Sequence, residues 1–435
     1  MQDSYHWTHF WGLSQGFFEK IWCPGRYICR APECWRSTDW ADGTWRGASE
    51  DSLKRDLHEG YLGERQFLRV LAPAPALLKG VGFLGASRPP QKRAIARWDI
   101  IHTGTCGLTT VATYLALHLH QPQNTLRQRL REFYKDAAHK TGNRRRELNI
   151  TPCFAALMRW VLRLWTPQPK CLALALDATT LQQRFTVLSI SVLYHGRALP
   201  VAWKIVPATQ KGWEALLEAL RETIPAEWTV LVCADRGLYA PWLFARIVQM
   251  GWHPFLRINA QGLYRVVGET TYRSLATVVP QAGTQWRGRV VCFKDSPLEC
   301  TLLACWDAGQ SEAWLIVTDL PPEVACVWWY GMRAWIESGI SDLKRRGWQW
   351  HRTQVRDAAR AERLWLALAV ATVWVVSVGS EAARRREASG LGGCVGVSCF
   401  RLGRLQVLVW LAEGDEGFLG RLYGEDWLGA RSPPA

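Results

Sequence analysis

Acidic residues are scarce in this chain: 38 Asp and Glu face 53 Lys and Arg across 435 residues, a formal charge of +15. A basic surface of that size favours a polyanionic partner, nucleic acid ahead of an anionic membrane surface. Long apolar runs are missing as well. The nearest candidate, Leu364 to Val378, has fifteen residues where a spanning helix needs about 20, so it reads as a buried helix and no membrane partner is expected. The N-terminus lacks a basic region leading into an apolar core and a small-residue cleavage site, so no signal peptide is expected. The thirteen cysteines therefore read as reduced thiols of a cytoplasmic protein rather than a disulfide framework. Cys23, Cys29 and Cys34, with His6 and His9 upstream, lack the paired C-x-x-C spacing of zinc sites and read as chance clustering. Methionine occurs only at Met1, Met158, Met250 and Met332, so no internal start trims the N-terminal segment neatly.

Apolar residues make up 48% of the sequence, and the length favours two or three domains over one core. Residues 1–95 mix Trp, Gly, Pro and charges with no sustained period of 2 or 3.6, and form a poorly defined Trp-rich leader. Residues 96–165 read as helical and basic. LTTVATYLALHLH is broken by QPQ, and Asn124 or Thr125 is placed to cap TLRQRLREFYKDAAHK. Its basic end includes Arg144, Arg145 and Arg146, which suit DNA phosphates or a solvated helix face equally well.

Residues 166–379 alternate strands and helices. CLALALDA is suited to a buried strand, and two β-rich segments flank a turn signal at Tyr194-His195-Gly196-Arg197. GWEALLEALRETIP is an amphipathic helix, TVLVCADRG a second buried strand, YAPWLFARIVQMG a helix and HPFLRI another strand. That order is the one expected of a ribonuclease-H-like sheet. A β-rich insertion at about residues 261–319 delays the last helix, which is expected from about Glu323 to Arg346 with Gly347 as its C-terminal cap. Residues 380–435 read as a linker around GLGGCVGVSC, one final helix in CFRLGRLQVLVWLAEG and a disordered GARSPPA end.

Three carboxylates stand out in this layout. Asp177 and Asp235 each sit at the end of a strand-forming apolar run, and Glu337 lies on the last helix. An acid in an apolar strand is costly unless paired or metal-bound. Carboxylates from three elements of one sheet are suited to holding two divalent ions for phosphodiester chemistry. At ~100° per residue, Tyr330, Arg333, Glu337 and Lys344 fall within about 60° on one helical stripe, beside an apolar stripe of Trp329, Met332, Ile336, Ile340 and Leu343. Lys344, Arg345, Arg346, His351, Arg352 and Arg356, interleaved with Trp348 and Trp350, suit either a DNA path or a solvated surface over core tryptophans.

The spacing Tyr330-x2-Arg333-x3-Glu337-x6-Lys344 resembles the YREK signature of bacterial insertion-sequence transposases with a DDE triad. The DATT and CADRGLY contexts resemble that group's first two acidic motifs, and the likeness covers about residues 107–412. It implies an α/β ribonuclease-H-like catalytic domain with a mixed sheet and a β-rich insertion before the glutamate helix; the helical N-terminal region at 96–165 is the candidate DNA-binding region on its own basic residues, and the likeness gives no support to residues 1–95. It further implies Mg²⁺ dependence, with two ions and Mn²⁺ able to substitute, held by Asp177, Asp235 and Glu337. Tyr330 and Arg333 would contact the DNA end and Lys344 its backbone phosphate; Arg345 and Arg346, from the basic stretch, are expected on the same DNA path. The implied partners are double-stranded DNA, as terminal inverted repeats and target, and a second copy in the DNA complex; no small-molecule cofactor is implied. The implied reaction is cut-and-paste transposition at the nucleoid. A tryptophan of the insertion, Trp306 or Trp314, would stack on an unpaired base or else belong to the core. A hydrolysis-only nuclease and a catalytically silent DNA-binding descendant of a transposase are the competing readings.

Overall fold

The computed structural model describes residues 100–140, 145–166, 168–181, 184–206, 212–391, 396–415, 417–418, 420–425 and 427–428. The expectations for the leader, the cysteine cluster near its start, Arg144 and the GARSPPA end lie outside the described residues. So do residues 392–395 of GLGGCVGVSC.

Ten strands form one mixed sheet in the order β3-β2-β1-β4-β5-β10-β9-β8-β6-β7. β1 (Cys171–Leu181), β2 (Phe185–Tyr194) and β3 (Arg197–Val206) are antiparallel neighbours. The β2–β3 connection is the two-residue turn anticipated at His195-Gly196, both with positive φ (41° and 72°), as the right-handed twist of a tight hairpin requires. β4 (Thr229–Ala234) and β5 (His253–Arg257) then run parallel to β1. The two crossovers carry α4 (Trp213–Arg221) and α5 (Pro241–Gln249).

The β-rich segment continues this same sheet. β6 (Leu263–Val266), β7 (Arg273–Ser274), β8 (Thr284–Cys292) and β9 (Leu298–Trp306) lead to β10 (Trp314–Thr318), which pairs antiparallel with β5. Hydrogen bonding is therefore unbroken from the first hairpin to the end of the insertion.

Strand alternation sorts β1 onto two faces. Leu172, Leu174 and Leu176 join the larger core, which is covered by α3 (Thr151–Leu164), α4 and the long helix α7 (Ala358–Ala388). Cys171, Ala173 and Ala175 join a smaller core with Val327, Trp329, Met332 and Ile336. The small residues on that second face let a helix approach closely. A Cβ on Gly339 would lie 2.7 Å from Ala198 Cβ and 2.8 Å from the Ala198 carbonyl oxygen; only glycine fits there.

The glutamate helix is shorter than the sequence suggested and changes type. Val327–Ala334 is a 3₁₀ helix, and only Trp335–Leu343 (α6) is α-helical. Val327, the aromatic run Trp328 to Tyr330 and Gly331 are poor α-helix formers, and burial of Trp329, Tyr330 and Met332 fits the tighter winding. Gly347 is not the cap, because Lys344 ends the helix. Its hydrogen fills a different need: a Cβ there would collide with the Asp342 carbonyl, to which Trp348 N donates (2.9 Å).

Two further expectations need correction. α2 (Gln123–Tyr134) follows α1 (Leu108–Leu119) and starts with Pro122 at its N-cap, ahead of Asn124 and Thr125. α7 is 31 residues long and runs unbroken across residue 380, where the sequence suggested a domain edge. It is the one described helix long and apolar enough to cross a membrane, yet 94% of its apolar window is buried within the protein. α8 (Cys399–Glu413) packs on it, with Gly379 and Gly403 at the crossing, where a Cβ would strike the Cys399 and Val375 carbonyls respectively. The following segment returns to the main body: Leu422 exchanges backbone hydrogen bonds with Leu164 and Thr166 (2.7 and 2.9 Å), and Trp427 is buried in the smaller core.

Candidate active site

The parallel strands set the level of the site. Leu176 pairs with Ala234, and Ala234 with Leu256, so the next residue along each strand, Asp177, Asp235 and Arg257, lies at one height across β1, β4 and β5. Asp177 keeps to the odd-numbered face of β1, beneath the 3₁₀ segment and α6. This is the carboxyl end of the parallel strands, where open α/β sheets present their ligand-binding groups.

Arg333 ties the acids together from above. Its Nη2 donates to Asp177 Oδ1 at 3.1 Å and lies 3.4 Å from Asp235 Oδ2, and its Nη1 lies 3.7 Å from Glu337 Oε1. Glu337 is one α-helical turn after Arg333 and 76% exposed, whereas Asp177 is 14% exposed. Burial pushes the Asp177 carboxyl above its ordinary value. Arg333 and Lys344 pull it back, while Asp235 and Glu337 raise it further. Burial is the main cost of this carboxylate's charge, ahead of the attraction of Arg333 and the repulsion of the other two acids, and a hard divalent cation suits such an all-oxygen donor set. As arranged around Arg333, no group of three His, Cys, Asp or Glu among the described residues is drawn close enough to hold an ion.

Lys344, at the end of α6, donates to Thr179 Oγ1 (3.0 Å) and the Thr180 carbonyl (2.9 Å) on β1. Burial lowers its ammonium pKa, against the attraction of Asp177. Arg345 and Arg346 follow and are exposed. The four-residue stripe drawn on an ideal helix is not reproduced in full, because the 3₁₀ winding turns Tyr330 into the protein. Tyr330 is 4% exposed, its hydroxyl donates to the Ala234 carbonyl (3.4 Å), and Trp314 packs edge-on against its ring. Trp348 and Trp350 are fully buried and form no DNA path. Trp306 and Trp314 are half-buried, and Trp306 Nε1 donates to the Gln310 carbonyl.

Arg145 and Arg146 are exposed on a different segment, one anchored to α7. Arg363 Nε donates to the Leu148 carbonyl at 3.2 Å and Arg363 Nη2 lies 3.4 Å from Glu147.

The sequence did not point to the group beside Asp235. Arg257 Nη1 lies 4.0 Å from Asp235 Oδ1, and Glu312, from the loop before β10, holds both Arg257 (2.9 Å) and Arg236 (2.7 Å). The available signal was positional: Arg257 ends a strand parallel to the one that leads into Asp235.

Adjacent parallel strands and the covering helix thus place three acids around one guanidinium, with further cations beside them. The family model of the transposase DDE domain matches residues 170–374, from just before β1 into α7. That central segment of the chain is a transposase DDE domain, the domain of DNA transposition by insertion sequences, and such domains generally use divalent metal ions. No individually curated protein matches the chain.

Proposed function

We propose that the chain catalyses cut-and-paste transposition: metal-dependent cleavage at the ends of an insertion sequence, followed by transfer of the freed 3′ ends into target DNA. The strand order β3-β2-β1-β4-β5, with three antiparallel strands followed by two parallel ones, fits a ribonuclease-H-like domain. The observation that carries the reading is the level pair Asp177 and Asp235 on neighbouring parallel strands, linked to Glu337 through a single guanidinium. In this reading Asp177, Asp235 and Glu337 hold two Mg²⁺ ions, with Mn²⁺ able to substitute. Bound ions would activate the attacking oxygen and neutralise charge on the leaving one.

The remaining groups act on DNA. Arg333 meets the reacting end, while Lys344, Arg345 and Arg346 contact its backbone phosphates, since lysine and arginine on one edge favour a polyanion. Tyr330 takes a supporting role, holding the backbone that leads into Asp235. Arg145 and Arg146 serve a second stretch of DNA on the helical region before the sheet. The DNA partners are terminal inverted repeats and a target duplex, engaged by a pair of chains at the nucleoid.

The test is cleavage of a duplex bearing the element's terminal repeats, with Mg²⁺ and without it. Nicking at the repeat boundary that needs metal and is lost in Asp177→Ala supports the reading. Equal behaviour of Asp177→Ala and wild type would refute it.

A further inference from the structure

The guanidinium of Arg333 occupies the point on which all three acids converge. We infer that Arg333 is a placeholder cation: without DNA it closes the acidic site against divalent metal, and a DNA phosphate draws it away to open the site. This rests on the proposal that Asp177, Asp235 and Glu337 bind metal.

Four observations support it. First, one side chain lies 3.1, 3.4 and 3.7 Å from the three acids, and the Asp177 oxygen that accepts its hydrogen bond is less available to an ion. Second, arranged around Arg333 the three acids do not form a three-donor group that could hold an ion, nor does any other such set among the described residues. Binding an ion therefore requires Arg333 to leave and the acids to close in. Third, Arg333 is imperfectly seated, since its Nε is buried with no hydrogen-bond partner among the described residues. A guanidinium has five N–H donors; the same unfilled Nε occurs on Arg184 and Arg197, among others, so it permits release of Arg333 without requiring it. Fourth, the acid it pairs with on α6, Glu337, is 76% exposed, so that contact opens at little desolvation cost. Asp235 also has Arg257 within 4.0 Å, and this neighbour keeps partial compensation on the β4 side when Arg333 departs.

A phosphate diester is a natural competitor for Arg333, because it accepts the same two-pronged hydrogen bonding as a carboxylate. Its arrival removes one cation from the acids at the moment the substrate is in place. The consequence is ordered loading: metal binds weakly to the free protein and tightly to the protein on DNA.

The experiment titrates Mn²⁺ into the full chain and reads free Mn²⁺ by electron paramagnetic resonance, so no turnover is needed. The proteins are wild type, Arg333→Gln, Arg333→Lys and Arg333→Gln combined with Asp177→Asn. Without DNA, Arg333→Gln is expected to bind Mn²⁺ at least tenfold more tightly than wild type, and the Asp177→Asn addition is expected to remove that gain. Adding terminal-repeat duplex is expected to tighten wild type by a similar factor and Arg333→Gln much less. Arg333→Lys, with one ammonium in place of the fork, is expected to fall between the two. Melting in EDTA gives a second readout: Arg333→Gln is expected to lose stability that Mn²⁺ restores, because three acids are left facing one another.

The outcomes separate. Tight, Asp177-dependent binding that is equal in wild type and Arg333→Gln would overturn the placeholder and leave the metal site standing. Mn²⁺ binding indifferent to Asp177 would overturn the metal reading itself. If Arg333→Gln folds only with Mn²⁺ present, the proposal is supported. If it folds in neither condition, Arg333→Lys decides: affinity no higher than that of wild type would refute the placeholder.

Discussion

Replacing Gly339 with alanine would put a methyl group 2.7 Å from Ala198 Cβ and 2.8 Å from the Ala198 carbonyl oxygen, where carbon atoms normally stop at about 3.5 to 4 Å. Because one obstacle is backbone, no rotamer change on β3 relieves it, and α6 has to withdraw by roughly 1 Å. Overpacking of this kind costs about 1 to 3 kcal/mol, which for a body of this size lowers the melting temperature by several degrees. Glu337 lies two residues away on the same helix and would move with it, away from Asp177 and Asp235. A displacement of about 1 Å at a reacting centre lowers rate by about 10²-fold. The assays are a thermal melt and single-turnover cleavage of terminal-repeat DNA at a temperature where the variant is fully folded. Gly331→Ala is the control, since a Cβ there meets only Trp314 at 3.8 Å; it is expected to melt and cleave like wild type. If Gly339→Ala matched Gly331→Ala in both assays, the inference that close approach to β3 sets the height of Glu337 would be wrong.

Gly403→Ala forces α8 away from α7 and is expected to cost at least 2 kcal/mol, read by urea unfolding; a change below about 0.5 kcal/mol would contradict the packing described. Lys344→Ala is expected to weaken binding to all duplexes alike and to lower the dependence of log K on log salt by about one; a loss confined to one DNA sequence would argue against a phosphate contact. Asp342 is buried beside Arg197 (3.1 Å), and burial raises its pKa from 3.8 to about 6. Its protonated form is therefore favoured in the fold, so its contribution to stability is full below 3.8 and is lost as pH rises through about 6. Two units correspond to about 3 kcal/mol. The stability difference between wild type and Asp342→Asn is expected to shift by that order in favour of the variant between pH 4 and 7, measured by urea unfolding at each pH, and a flat difference would refute it.

The two aspartates were legible because each announces a conflict, whereas the exposed Glu337 stood out only by its spacing from Tyr330, Arg333 and Lys344. Asp177 interrupts six buried apolar residues in β1, and Asp235 follows six residues of β4, and a charge in such a place asks for a partner. The hairpin at His195-Gly196 was equally plain, since its turn needs residues that tolerate positive φ. Less was readable where the outcome depends on distant contacts. An ideal helix drawn through residues 323–346 put Tyr330 on the stripe with Arg333, but burial of Trp329, Tyr330 and Met332 rewound that segment as 3₁₀ and took the tyrosine inward. Trp348 and Trp350 looked interchangeable with DNA-stacking rings because both uses place aromatics among cations; their burial is decided by α7, Trp350 packing against Trp365. The Arg236–Glu312–Arg257 group joins residues from three separate segments and has no local sequence signature.

Because β1 alternates strictly between its two covers, the strand works as a parity code. Loss or gain of one residue between Cys171 and Asp177 would either turn the acid toward the leucine-lined face under α7 or put the side chains upstream of the change on the wrong side. A change of two residues would restore the face yet move the acid by about 7 Å along the strand, out of line with Asp235. Neither kind of slip is repaired by a substitution elsewhere, so length variation in descendants of this chain is expected to accumulate in the connections and to leave the interval from Cys171 to Asp177 fixed.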